Sequence, residues 1–271
     1  MNNILVRSLT GAVFISLVLL PLFWLNEVAA GMFGFFMLLG LIEFYKLFKK
    51  NTTIEVSWEI GLIYGLVLYG LAMGIFFGVL PAFLKITLLP LLFIVFIVEL
   101  WRKKSNPLLN ASVILFGIVY VTLPFILMVM INNQDTSSFP LLAGMFILIW
   151  MNDTFAYLSG RFFGKTKLIE RISPNKTWEG TIGGILFTIA AGFAIGLLFD
   201  NERILFWVIS AGIIAPCAIL GDLLESLFKR NMNVKDSGTI LPGHGGILDR
   251  FDATLFTVPF FMTWTYFYMY F

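Results

Sequence analysis

Charge is what this chain has least of. Asp, Glu, Lys and Arg together make up 13% of its 271 residues, where an ordinary soluble domain carries about a quarter. So few charges cannot cover the surface of a globule of this length in water, which excludes a soluble enzyme or binding domain. Cysteine is nearly absent too. Cys217 stands alone, so no intramolecular disulfide forms, and its apolar neighbours mark it as a small filler. A single histidine, His244, excludes a zinc centre, which needs several nitrogen or sulfur ligands. Low-complexity tracts, long linkers and internal repeats are missing as well, and without a repeat an inverted-repeat transporter loses its main sequence support. The net charge of +2 carries no information by itself, and no nucleic-acid partner is expected.

What fills the space is apolar: 59% of the residues are hydrophobic and 17% aromatic. A spanning helix needs about 20 mostly apolar residues to cross roughly 30 Å of hydrocarbon. The runs are long and unbroken rather than alternating, which favours helices over a barrel. Nine spans are expected, at Ser8–Leu25, Ala29–Phe48, Trp58–Leu80, Ala82–Leu100, Leu108–Ile131, Leu141–Phe163, Thr177–Phe199, Leu205–Phe228 and Ala253–Tyr270. The first resembles a signal peptide in its flanks, with Arg7 before it and Val28-Ala29-Ala30 after it. Its apolar core is as long as or longer than such segments usually carry, so a retained helix is expected. The fold class is therefore all-α, a single polytopic membrane domain over residues 1–271.

Basic residues set the orientation. With a cytoplasmic N-terminus, 16 of the 18 Lys and Arg residues fall on the inner side, and only Lys85 and Arg203 fall outside. Positively charged loops resist translocation, so this arrangement is the expected one. The first five spans carry little polarity beyond Glu43 and Glu99, which sit near helix ends and are expected to snorkel toward water. From Asn152 onward, ionisable and amide groups enter the spans themselves. Residues 1–140 thus read as scaffold, and 141–271 as the catalytic part.

Four stretches carry candidate chemistry. Asn152 and Asp153 open the first. Asp153, Tyr157 and Arg161 follow at i, i+4, i+8 and share one helix face. An ionised Asp in hydrocarbon costs at least about 2.5–3.5 kcal/mol, so it must face protein or water. A helix-to-helix clamp and a functional site are both open here. GRFFGKTK, at 160–167, approaches a phosphate-binding P-loop, but three residues rather than four separate its glycines and no strand precedes it. It is rejected as a P-loop, although a basic loop still suits anionic headgroups.

The second stretch, ISPNKTWEGTIGG at 172–184, starts the seventh span, with Pro174 and Asn175 suited to the helix start. Lys176 and Glu179, at i, i+3, read equally well as a structural ion pair or as site residues. In the third, GDLLESLFKR, Asp222, Glu225, Ser226 and Lys229 line one helix face that runs into Arg230. Such an oxygen-rich stripe beside cations suits Mg²⁺ and phosphate.

The fourth runs through Lys235, Asp236 and Ser237 into LPGHGGILDRFD. Gly243, Gly245 and Gly246 free the backbone so that N–H groups meet an anion. Asp249 and Arg250 open the last span at a helix N-terminus, with Asp252 next. His244 reads as a turn residue or as a contact to phosphate or base.

Together these residues resemble a known family. SLFKRNMNVKDSGTILPGHGGILDRFD, at 226–252, resembles the signature of the CDP-diacylglycerol synthases, also called phosphatidate cytidylyltransferases. The stretches from Asn152 to Gly180 are similar to that family as well, whereas the first five spans resemble it only in hydropathy. The resemblance implies a membrane enzyme that makes CDP-diacylglycerol and pyrophosphate from CTP and phosphatidic acid. It implies Mg²⁺ held by Asp222 and Asp249, with a K⁺ ion also implicated, and motif Lys and Arg side chains on phosphates. The catalytic set is then Asp222, Lys229 and Asp249. The substrate-binding set is Asn152, Asp153, Lys176, Ser226, Arg230, Lys235, Asp236, Gly243, His244, Gly245, Gly246 and Arg250.

A homodimer is expected, and the compact chain with no soluble extension points to a bacterial cytoplasmic membrane with the site facing the cytoplasm. Two other classes share some of these features. A CTP-dependent polyprenol or lipid kinase would release CDP, and an ion-coupled transporter would use Asp153 and Asp222 without CTP.

Overall fold

A computed structural model describes residues 3–49, 54–133, 139–238, 240 and 245–270. Helix dominates. The described elements are α1 (Asn3–Leu19), α2 (Asn26–Phe48), α3 (Trp58–Phe76), α4 (Leu88–Arg102), α5 (Pro107–Gly117), α6 (Leu123–Asn132), α7 (Leu141–Phe163), α8 (Trp178–Phe199), α9 (Ile204–Asn231) and α10 (Leu248–Tyr270). A π-turn over Ile118–Thr122 joins α5 to α6, and a 3₁₀ turn over Ala82–Thr87 leads into α4. Two short strands, β1 (Lys167–Ile169) and β2 (Ser173–Thr177), form an antiparallel hairpin between α7 and α8.

Among the described residues, seven helical stretches are long and apolar enough to cross a membrane. The protein is an all-α polytopic membrane protein. The other two expected spans coincide with α1, whose apolar part Leu9–Phe23 is short, and with α10, whose first turns hold Asp249, Arg250 and Asp252. The exposed surface agrees with a lipid solvent: on α4, Leu89, Phe93, Ile97 and Leu100 are 56–74% exposed. In water a contiguous apolar face of that kind would drive aggregation, whereas in a bilayer it is the preferred surface.

The chain forms two compact units. In the first, residues 1–130 and 232–250, α2 is the central helix. Phe33, Met37, Leu41, Phe44 and Tyr45 on it are fully buried. Tyr45 donates its hydroxyl to the Ile114 carbonyl on α5 at 3.0 Å, and a Cβ at Gly61 or Gly117 would meet its ring or hydroxyl within 2.5 Å. Tyr69 on α3 donates to the Ala30 carbonyl at 2.7 Å. These bonds satisfy hydroxyls that would otherwise be stranded among apolar groups.

Glu43 and Glu99, expected to snorkel, do not. They are 3% and 2% exposed. Glu99 pairs with Arg102 one turn on and receives Asn110 Nδ2 at 3.5 Å. A carboxylate this deep must be compensated by donors, and the fold supplies them.

In the second unit, residues 131–231 and 251–271, α7 packs along α8 and α8 along α9. The first of these contacts is backbone to backbone: a Cβ at Gly180 would lie 2.7 Å from the Ala156 carbonyl and 3.0 Å from Gly160 Cα. Small residues are what allow helices to approach this closely in a membrane. Pro174 and Asn175 do not start a helix. They lie in β2, and α8 begins at Trp178 with Thr177 as its cap, the hydroxyl accepting from Gly180 N–H at 3.2 Å. Strand pairing wins because Trp178 N–H bonds the Thr166 carbonyl at 2.9 Å, which holds the chain extended up to the cap.

Candidate active site

Residues of α7, β2, α8 and α9 in the second unit line a cavity of about 390 Å³. Asn152, Asp153, Tyr157 and Arg161 come from α7, Lys176 from β2 and Asp222 from α9. The i, i+4, i+8 spacing therefore places three polar side chains of α7 on one cavity wall. Arg161 Nη1 lies 3.5 Å from the Tyr157 hydroxyl and donates to it. Asn152 is almost fully buried, 1% exposed, and its Oδ1 would lie 2.9 Å from a Cβ at Gly184 on α8.

Lys176 makes the decisive contact. Its Nζ lies 2.5 Å from Asp222 Oδ2, while Ser226 donates its hydroxyl to Asp222 Oδ1 at 3.3 Å. The i, i+3 pair of Lys176 with Glu179 is not what forms, because Lys176 is on a strand and not on the helix. Glu179 instead accepts the backbone N–H groups of Lys165 and Thr166 at 3.0–3.2 Å and ties down the turn that leads into the hairpin.

One turn beyond Asp222, Glu225 is buried, 1% exposed, and takes Lys229 Nζ at 3.4 Å. It also hydrogen-bonds with Asp252, whose charge is repelled by Asp222 and Asp153. Arg230 is exposed and donates Nε to the Ile172 carbonyl at 3.5 Å.

The first unit holds the other part of the candidate set. Asp249, in the first turn of α10, accepts Gly246 N–H at 2.8 Å and Ser237 N–H at 3.1 Å on Oδ2. Gly245 has φ +85, and a Cβ there would lie 2.7 Å from Asp249 Oδ2. Only glycine serves at that position, on both backbone and steric grounds. Lys235, Asp236 and Arg250 are exposed around this loop. Gly243 and His244 lie outside the described residues.

These donors fit a hard divalent ion. Asp222 in the second unit and Asp249 in the first are each carboxylates held by hydrogen bonds, oxygen donors of the kind a hard cation takes. Among the described residues no three Asp, Glu, His or Cys side chains converge to hold a metal by themselves. Mg²⁺ keeps several waters and binds through one or two carboxylates plus substrate phosphates, so it needs no such cluster.

Residues 5–268 match the cytidylyltransferase family. The chain belongs to the cytidylyltransferase family. It is accordingly a nucleotidyltransferase. A phosphatidate cytidylyltransferase of Staphylococcus epidermidis is 36% identical over 256 residues, which cover 94% of this chain and 96% of that one. One from Haemophilus influenzae is 45% identical over 137 residues, 48% of this chain and 46% of the relative. One from Staphylococcus aureus is 39% identical over 175 residues, 64% and 66% of the two.

The motif spacing left the partner of Lys176 undecided, and the geometry supplies it. Lys176 reaches across from a hairpin onto Asp222 on α9. Glu43 was read as snorkelling toward water, and its burial against the loop was not foreseen. The signal that could have found it is a carboxylate within an apolar span, which by default marks function.

Proposed function

We propose that the protein transfers the cytidylyl group of CTP to phosphatidic acid, giving CDP-diacylglycerol and pyrophosphate. Relatives that carry this activity in their names match nearly the whole chain. The observation that carries the reading on the site itself is the Lys176–Asp222 contact in the wall of the cavity. It pairs a phosphate-binding cation with a metal-binding carboxylate.

In the reaction a phosphate oxygen of phosphatidic acid bonds to the α-phosphorus of CTP. The bond from that phosphorus to the bridging oxygen of the β-phosphate breaks, and pyrophosphate leaves with the electron pair. No strong base is needed, because a phosphate monoester with a second pKa of about 6 is already largely ionised. Positioning and charge compensation supply most of the rate.

Lys176, Lys229, Arg230, Lys235 and Arg250 neutralise nucleotide and lipid phosphates. Ser226 orients Asp222 by its hydroxyl, and the amides of Ser237 and Gly246 orient Asp249. Asn152 and Asp153 shape the cavity, Gly245 and Gly246 admit phosphate to the backbone, and Asp236, Gly243 and His244 are assigned to substrate binding by the motif. Asp222 and Asp249 are the carboxylates assigned to Mg²⁺, with K⁺ as the second ion. When bound, Mg²⁺ supplies charge neutralisation to the phosphate oxygens that gain charge.

The rest of the reading concerns placement. Nine spans put the N-terminus and the site on the cytoplasmic side of a bacterial inner membrane, as the distribution of basic residues favours. CTP then arrives from water and the lipid from the bilayer. A homodimer is the assembly proposed.

Purified protein in detergent, given radiolabelled CTP, phosphatidic acid and Mg²⁺, is expected to yield CDP-diacylglycerol and pyrophosphate, and to stop when EDTA removes the metal. Release of CDP with a phosphorylated lipid, or solute flux in liposomes without CTP, would overturn the reading.

A further inference from the structure

Glu43 lies on α2, far in sequence from every motif residue, yet its carboxylate is built into the signature loop. Leu248 N–H donates to Glu43 Oε2 at 2.9 Å, the Ser237 hydroxyl donates to the same oxygen at 3.4 Å, and the Ile247 amide also bonds this carboxylate. The loop makes room for it. A Cβ at Gly238 would lie 2.3 Å from Glu43 Oε1, and one at Gly246 would lie 2.4 Å from Oε2.

The amides of this loop are therefore shared between two acids. Those of Ile247 and Leu248 turn to Glu43, while those of Ser237 and Gly246 turn to Asp249. Ser237 serves both, its N–H on Asp249 and its hydroxyl on Glu43. Glu43 also meets a physical need of α10, whose first N–H groups have no partner inside the helix and whose N-terminus favours a negative charge. Two residues further along α2, Tyr45 is bolted to α5 through the Ile114 carbonyl. The carboxylate thus stands on a braced helix.

We propose that Glu43 is a positioning residue for the reaction, a buried strut that fixes the start of α10 and the Ser237 amide and so aims Asp249. The proposal rests on the assignment of Asp249 to Mg²⁺ made above. Groups that orient a metal-binding side chain typically change metal affinity or activity about 10–100-fold when altered.

The test is E43Q, purified in detergent and titrated with Mg²⁺ at saturating CTP and phosphatidic acid, with D249N alongside. Glutamine keeps one acceptor oxygen but turns an NH₂ toward the loop amides. The Mg²⁺ concentration for half-maximal activity is expected to rise about tenfold or more, while E43Q elutes and melts as the unaltered protein does. A purely structural residue would lower the melting temperature and leave the Mg²⁺ requirement alone. Loss of activity in D249N together with an unaltered Mg²⁺ requirement and kcat in E43Q overturns the strut and leaves the reaction assignment standing. Full activity in D249N overturns the assignment of Asp249 itself. If E43Q does not purify folded, G238A displaces the same carboxylate from the loop side. A raised Mg²⁺ requirement then supports the proposal, and an unchanged one overturns it.

Discussion

Lys176 Nζ sits 2.5 Å from Asp222 Oδ2, joining the end of β2 to the middle of α9. The two residues are 46 positions apart, and Ser226, one turn along α9, donates to the other carboxylate oxygen of Asp222. Bond formation here requires the hairpin, because a helix running through Ser173–Thr177 would carry Lys176 beside Glu179 instead.

That contact makes Lys176 sensitive to charge and shape together. A charged hydrogen bond contributes about 1.5–3 kcal/mol, which corresponds to roughly 10–150-fold in rate or affinity. K176M is expected to lose kcat/KM for CTP in that range, and K176R to retain more of it. Steady-state kinetics with labelled CTP decides; equal rates for K176M and the unaltered protein would remove Lys176 from the site.

Gly245 should tolerate no side chain. Its φ of +85 and the 2.7 Å approach to Asp249 Oδ2 both oppose a Cβ. Backbone strain of this kind costs about 1–3 kcal/mol. G245A is expected to depress cytidylyl transfer while the far-ultraviolet circular dichroism stays unchanged. A fully active G245A would show that the loop does not need this conformation.

Gly180 tests packing rather than chemistry. Valine there meets the Ala156 carbonyl and Gly160 Cα, both backbone, so α7 and α8 must separate. Overpacking costs about 1–3 kcal/mol, and the thermal midpoint of G180V in detergent should fall, with G180A falling less. An unchanged midpoint would mean that the two helices are not in close contact.

The orientation is checked by reporters. Fusions after Lys104 should report from the cytoplasm and fusions after Gln134 from the opposite side. The reverse pattern would invert the arrangement of every loop assigned to the site.

Much was legible in the chain beforehand. Scarce charge and long apolar runs require helices in a bilayer, and most expected spans begin and end within a few residues of the observed helices. Leu141–Phe163 coincides at both ends. Periodicity also placed Asp153, Tyr157 and Arg161 on one wall, and Asp222 with Ser226, because i, i+4 spacing is a local property of a helix. Pro174 and Asn175 were misplaced, since Pro at a helix start and Pro in a short exposed strand look alike until the strand's partner is known. Glu43 was misjudged for a related reason. Hydropathy shows a carboxylate near a helix end, but not that another segment folds over it.

The sequence by itself determined the membrane class, the helical periodicity and the family motif, all of which depend on neighbours within a few turns. Tertiary structure alone decided which charges meet. Lys176 finds Asp222 across 46 residues, and Glu43 finds Leu248 across 205. The physical reason is desolvation: a charge withdrawn from water takes whichever donor or acceptor packing brings within hydrogen-bond reach, and local spacing does not encode that choice.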